Sequence, residues 1–247
     1  LGETASVSES TVVRFAAQLG YDGYPEMQKA LQELIRGRLT SIQRIQVSRD
    51  QMTGSDILGS VMQRDMNGIH DVIERLDRVE FDRVVDKLLH AKHIYILGVR
   101  SSSFLAGYLN FYLHLIFKNV TLVQSSAAGE IYEQLVHIGP GDVLVSISFP
   151  RYSKMAIHAV EFARCRGGDV VAVTDSPMSP MYKMASASLL ASSDMISFVD
   201  SMVAPMSLLN ALILAVGQQR RDDLSATLAE MEQVWSKYSI FGKEDDE

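Results

Sequence analysis

The chain has 247 residues, with 30 acidic against 23 basic side chains, 47% apolar and 21% charged residues, and one cysteine. That length allows one or two domains with a self-sufficient core, and the composition excludes disordered and fibrous classes. The lone Cys165 excludes a disulfide framework and cysteine-ligated clusters, while the net charge of −7 argues against nonspecific coating of nucleic acid but leaves room for a small DNA-reading surface.

No apolar run is long enough for a membrane span, and no basic-then-apolar signal opens the chain, so a cytoplasmic protein with no membrane association is expected. Because the chain starts at Leu1 rather than Met, a preceding segment is also expected. Residues 1–50 are helical in period and nearly neutral, with Arg14, Lys29, Arg36, Arg38, Arg44 and Arg49 balanced by acidic side chains. Ser8 suits an N-cap, Val12, Phe15, Ala16 and Leu19 make an apolar stripe, and Gly20 suits a terminator. The other face presents Ser8, Ser10, Thr11, Arg14 and Gln18. Residues 1–5 read as the end of a preceding helix.

A polar stretch over 48–56 interrupts this pattern, with Thr53 or Ser55 suited to cap the next helix. Ile57, Val61, Met62, Met66, Ile69, Val72, Ile73 and Leu76 then predict a helix over 57–76, and a second amphipathic helix is expected over 81–89. Residues 51–90 are therefore read as a helical connector. From Ile94 short apolar runs alternate with helices. Strands are expected over 94–97, 120–123, 143–147, 170–173 and 187–190. Helices are expected over 103–117, 129–137, 153–166, 203–219 and 222–238, with a short one over 180–185. Nearly continuous apolar strands separated by helices indicate a parallel sheet covered on both faces, with ligands at the carboxyl ends of its strands.

Two strand-end loops carry chemistry. Gly98-Val99-Arg100-Ser101-Ser102-Ser103 follows the first strand, and Ser146-Ile147-Ser148-Phe149-Pro150-Arg151-Tyr152-Ser153 spans the end of the third and the loop beyond. Thr174-Asp175-Ser176-Pro177 follows the fourth. Helix-start amides, serine hydroxyls and an arginine in each of the first two loops suit an anion, above all a phosphate. They lack the carboxylates and histidines of a metal site, and no metal or cofactor is expected. For a single loop, capping is the favoured reading of the serines; two facing loops favour the anion.

Here the chain resembles a known family. The sheet with a serine loop after its first and third strands is similar to the SIS (sugar isomerase) domain, over about residues 80–218. Ser6-Val7-Ser8-Glu9-Ser10-Thr11-Val12-Val13-Arg14-Phe15-Ala16-Ala17-Gln18-Leu19-Gly20-Tyr21 is similar to the helix-turn-helix of RpiR/MurR-type bacterial regulators. The resemblance implies an α/β fold, a SIS-like five-stranded parallel sheet sandwiched by helices, preceded by a truncated all-α helix-turn-helix domain. It divides the chain into a DNA-binding domain over 1–50, the connector over 51–90, the SIS domain over 91–218, and a C-terminal helix with an acidic tail over 219–247. It also implies operator DNA as a partner, a phosphorylated sugar or sugar acid as effector, and a homodimer or tetramer.

Ser102 matches the serine of the family's G-x-G-x-S loop, with Arg100 in place of the second glycine. Against the pattern I-S-x-S-G-E-T, the second loop keeps Ser148, has Ser153 for the threonine, and substitutes Pro150 and Arg151 for the second serine and the glycine. Pro150 removes an amide donor and the arginines add charge, which points to a ligand more anionic than a plain sugar phosphate, or to a different phosphate geometry. The ligand residues are expected to be Arg100, Ser101, Ser102, Ser103, Ser146, Ser148, Arg151, Ser153 and Glu130. In a helix-turn-helix the start of the second helix enters the major groove, so Ser8, Ser10, Thr11 and Arg14 are the expected DNA contacts.

An isomerase is the competing reading. It needs a general base, and Glu130, Glu133 and His137 have the spacing to share one helix face, although a solvated face with a peripheral histidine is the favoured reading of them. The remaining histidines show no dyad or metal spacing, and Cys165 reads as a packed residue without a base. The stripe Met202, Met206, Leu209 and Ile213 reads as core or interface. No dinucleotide glycine fingerprint or Walker loop is present.

Overall fold

The structure is a computed structural model that describes residues 8–28, 31, 39–40, 42–46, 56–124, 128–193 and 197–241. The chain divides into two compact units, Leu1–Ser55 with Met195–Val199, and Asp56–Asp194 with Asp200–Glu247. Residues 1–5, Lys29, Arg36, Arg38, Arg49 and the acidic tail over 242–247 lie outside the described residues.

In the first unit, α1 (Glu9–Gln18) begins where the Ser8 hydroxyl accepts the Thr11 amide at 3.3 Å. It ends at Leu19, and Gly20 follows with φ +86°, a left-handed turn that only glycine adopts freely. The predicted stripe is only partly sequestered. Val12 and Ala16, one i,i+4 pair, are buried, whereas Phe15 and Leu19 remain 51% and 55% exposed. Residues 24–28 and 42–46 are also helical.

The second unit opens with a correction to the cap. Asp56, not Ser55 or Thr53 (both outside the described residues), caps α2 (Ile57–Arg75), its Oδ1 accepting the Gly59 amide at 2.8 Å. A carboxylate suits this end better than a hydroxyl, because it opposes the positive pole of the helix. The next helix, α3 (Arg78–Leu89), starts three residues before the predicted position 81. Asp77 accepts the Val79 and Glu80 amides at 2.9 and 3.1 Å and fixes the turn there.

Five strands follow: β1 (Ile94–Gly98), β2 (Val120–Val123), β3 (Val143–Ile147), β4 (Asp169–Thr174) and β5 (Ala187–Leu190). All pair in parallel in the order β2-β1-β3-β4-β5. Between them run α4 (Ser102–Ile116), α5 (Ala128–Leu135) and α6 (Lys154–Cys165); α7 (Val203–Gln219) and α8 (Arg221–Tyr238) close the chain. The short helix predicted over 180–185 is a single 3-10 turn, Tyr182–Met184.

Alternation along the strands divides the core in two. Ile94, Ile96, Val143, Val145, Val171 and Val173 meet α3, α4 and α7, while Tyr95, Leu97, Leu144, Val170 and Ala172 meet α5 and α6. Both faces are thus covered, the condition under which strands can be apolar at nearly every position. Helix α7 puts Leu209 and Ile213 in the core with Met202 and Met206 packed against it, so that stripe is internal. Helix α2 is tied to the start of α7: the Ser201 hydroxyl donates to Asp65 at 2.6 Å, and Gly68 lets Ala204 approach. At the outer edge of β5, Glu80 of α3 accepts the Ser188 amide at 3.0 Å and pairs with Arg83 at 3.0 Å.

Gly98 ends β1 where the chain bends into α4, and a Cβ there would overlap the Ser102 carbonyl oxygen and crowd Ala106. Since the obstacle is backbone, Gly98→Ala is expected to destabilise the sheet unit by about 1–3 kcal/mol, read from the urea unfolding midpoint.

Candidate functional site

Helix α4 runs from β1 toward β2, whereas α6 runs from β3 toward β4, on the opposite face of the sheet. The strand order reverses between β1 and β3, which are hydrogen-bonded neighbours with Gly98 opposite Ile147. Reversal opens a crevice at the carboxyl ends of these two strands, the usual ligand position in open α/β sheets. Both serine-and-arginine loops leave from it.

The two loops differ from the helix starts at Ser8, Asp56 and Asp77. Ser8, Asp56 and Asp77 cap their helices through their side chains, but Ser101 and Ser153, at the N-caps of α4 and α6, make no such bond. Neither α4 nor α6 carries an acidic residue in its first turn. Two uncompensated positive helix poles thus stand beside one another, each equivalent to about half a charge. Capping does not account for these serines.

Both arginines occupy left-handed backbone, Arg100 at φ +60° and Arg151 at φ +66°. These are the two positions at which arginine stands for a glycine of the resembled pattern, so the loops keep a glycine-like conformation without glycine. Each such residue stores about 1 kcal/mol or more, and strain of this kind gathers at functional sites. The Arg100 turn is closed locally, with the Ser103 hydroxyl donating to the Arg100 carbonyl at 2.6 Å.

The other predicted residues differ in access. Ser102 and Ser148 are buried at 5% exposure each, at the mouths of α4 and β3, and Ser153 is half-buried. Ser146 is fully buried inside β3, on the α5/α6 side with Leu144, and its Oγ has no hydrogen-bond partner among the described residues. Glu130 is half-buried in the first turn of α5. Gln134 clips that turn to the end of β2, accepting the Gln124 amide at 3.1 Å and donating to its carbonyl at 2.6 Å. The DNA-facing set lies together at the start of α1, where Ser8 Oγ is 2.9 Å from Ser10 Oγ and 2.8 Å from Thr11 Oγ1, and Arg14 is exposed one turn on.

Several readings of the isomerase alternative change. Helix α5 ends at Leu135, so His137 leaves the face of Glu130 and Glu133. Cys165 is the exposed last residue of α6 rather than a packed one, because the apolar face of that helix is supplied by Ala156, Ala159, Val160 and Ala163. His93 stacks on Tyr95 and meets Thr121 Oγ1 at 2.8 Å, at the opposite ends of the strands from the crevice. On α2, ligand atoms of His70, Asp71 and Glu74 lie within 4.8 Å of one another, but His70 and Glu74 are exposed and form an ordinary i,i+4 pair at 3.6 Å. A groove of about 920 Å³ lies among α4, α7 and α8, lined by Tyr108, Tyr112, Ile213 and Leu224, away from the two loops.

What the sequence reading missed is a polar group beside the crevice. The Tyr152 hydroxyl donates to Asp175 Oδ1 at 2.7 Å, Thr174 Oγ1 reaches the same oxygen at 3.1 Å, and Thr174 Oγ1 lies 2.9 Å from Ser179 Oγ. Burial, reinforced by the Asp175 charge, holds the Tyr152 phenol far above its ordinary range. Burial likewise raises the Asp175 carboxyl, opposed by its hydrogen bonds from Tyr152 and Thr174. The cluster of hydroxyl and carboxylate residues after β4 was its only sequence signal.

A SIS domain family model matches residues 87–215, and a helix-turn-helix domain model of the rpiR family matches residues 1–36. The chain belongs to the RpiR-type helix-turn-helix proteins that carry a SIS domain. It is 23% identical over 186 residues to an uncharacterized HTH-type transcriptional regulator of Clostridium perfringens, covering 75% of this chain and 66% of that one. It is 24% identical over 251 residues to another from Caldanaerobacter subterraneus subsp. tengcongensis, covering 97% and 85%. The chain spans only 36% of the bifunctional glk proteins that it also matches. Among solved structures, the Vibrio vulnificus NanR protein complexed with ManNAc-6P shares the fold with a TM-score of 0.66 at 22% identity, over 98% of this chain and 85% of that one.

The raised Asp175 carboxyl fixes a sign. The folded chain takes up this proton before the unfolded chain does, so the group's contribution to stability grows as pH falls through the raised value. It levels off below the ordinary value of 3.8. Asp175→Asn is expected to remove that rise, measured as the difference between the two proteins in urea unfolding from about pH 7 to about pH 4.

Proposed function

We propose that this protein is a DNA-binding transcriptional regulator whose SIS unit binds a phosphorylated sugar or sugar acid in the β1/β3 crevice and thereby changes operator binding. The observation that carries this reading is the pair of helix starts with serine at the N-cap position but neither a side-chain cap bond nor an acidic first turn, each close to a left-handed arginine. Two fixed dipole ends, buried hydroxyls and two guanidinium groups stabilise a dianion far better than a neutral sugar. NanR, bound to a phosphorylated amino sugar on the same fold, supports the ligand class. In this reading Arg100, Ser101, Ser102, Ser103, Ser148, Arg151 and Ser153 hold the anion, with Ser146 beneath them, and Glu130 reaches sugar hydroxyls from the β2 side.

Regulation then follows from linkage: a ligand that prefers one arrangement of the protein shifts DNA affinity by its differential binding free energy. Ser8, Ser10, Thr11 and Arg14 read the operator, with Arg14 suited to guanine and the hydroxyls to phosphates. A two-fold dimer matches a palindromic operator, and exposed Phe104, Phe111 and Leu214 on α4 and α7 supply apolar surface for it. The residues suited to base readout at the start of α1 favour a regulator over an isomerase, for which they have no use.

Two measurements test this. In a thermal-shift panel of sugar phosphates and sugar-acid phosphates, a genuine effector at a hundredfold excess over its Kd stabilises by about 2.7 kcal/mol. Arg151→Ala is expected to weaken acidic ligands more than neutral sugar phosphates; equal binding of both classes with a harmless Arg151→Ala sinks the charge argument. On the DNA side, Arg14→Ala is expected to weaken operator binding by about 1–3 kcal/mol in a footprint that the effector shifts. Sugar-phosphate turnover lost in Glu130→Gln establishes the isomerase instead.

A further inference from the structure

The strain at Arg151 needs something to hold it. A left-handed arginine in a loop that follows a proline relaxes unless its surroundings fix it. The Arg100 turn has its own clamp in the Ser103 hydroxyl. At Arg151 the next residue supplies a tether. Tyr152 reaches across to the loop after β4 and donates to Asp175 Oδ1 at 2.7 Å. Asp175 is held in turn by the Thr174 hydroxyl at 3.1 Å, and Thr174 and Ser179, both fully buried, are in contact at 2.9 Å. The anchor is thus rigid, partly shielded from water and built on a central strand, and a hydroxyl-to-carboxylate bond is among the stronger neutral-to-charged kinds.

We infer that Tyr152 and Asp175 are positioning residues: they hold Arg151 in its left-handed conformation at the mouth of the crevice, and so set the affinity for the ligand's anionic group without touching it. This rests on the crevice being the ligand site. The Tyr152 and Thr174 hydroxyls both donate to Asp175 Oδ1, so that carboxylate is engaged in hydrogen bonds within the protein. Its charge then serves as an anchor for the loop.

A double-mutant cycle over Tyr152→Phe and Arg151→Gly tests it on the full chain, with two readouts. Without ligand, breaking the tether releases the Arg151 strain and recovers part of the loss; with glycine at 151 there is no strain to release. Tyr152→Phe is therefore expected to raise the unfolding equilibrium constant at least about fivefold more in the Arg151→Gly background than in the parent. With inorganic phosphate and N-acetylmannosamine 6-phosphate as calorimetric probes, Tyr152→Phe is expected to weaken binding about tenfold in the parent and less than about twofold in Arg151→Gly. Equal effects in both backgrounds, on stability and on affinity, overturn the inference, since a merely structural tether behaves that way. Should Tyr152→Phe fail to fold, Asp175→Asn, which keeps an acceptor of the same shape, replaces it in the same cycle. If no probe binds the parent chain, the reading of the crevice fails, and the ligand-free cycle still decides whether the tether holds the strain.

Discussion

The parallel ladder between β1 and β3 is the constraint on which the rest of this structure depends. Right-handed crossovers must send α4 and α6 to opposite faces once β2 lies on one side of β1 and β4 on the other side of β3. That geometry leaves two helix starts side by side at one end of the sheet. Every feature of the candidate site is secondary to it: the buried serines, the left-handed arginines and the absence of acid in either first turn.

Around that crevice the sheet unit sets apolar and polar demands against each other. Below it, strand residues pack on both faces with few polar groups; among the described residues Ser146, Thr174 and Ser188 are the buried ones, and Ser146 Oγ is the one left without a hydrogen-bond partner. Above it, stability is given up in two glycine-like turns that carry arginine. The deep core compensates easily, since burying one large side chain contributes about 1.5–3 kcal/mol, more than one strained residue takes away. The anion site proposed for this crevice needs this division, a rigid floor beneath loops that are locally unfavourable.

Much of the fold was legible because its signals are local. The apolar runs from Ile94, Val120, Val143, Val170 and Ala187 each became a strand, since a doubly covered parallel sheet leaves an unbroken apolar signature. The start of α3 slipped because a capping side chain, Asp77, and not the apolar period sets it; α2 begins at Ile57 as read, but its cap is Asp56. At the site, the serine loops could be read, but the left-handed state of Arg100 and Arg151 could not, because backbone sign is invisible in a non-glycine residue. The Tyr152–Asp175 bond spans 23 positions and has no period at all. The burial of Phe15 and Leu19 was overestimated because period alone does not say how much of a stripe is covered.

The carboxylate that Glu80 lends to the Ser188 amide has its own bearing on how copies of this chain meet. An unpaired outer strand is an invitation to intermolecular sheet growth, and β5 declines it with a side chain already seated on its outward donor. The opposite margin, β2, offers only four residues. Both margins of the sheet are thereby poor templates for a further strand, which leaves helix faces as the surfaces open to contact with other chains.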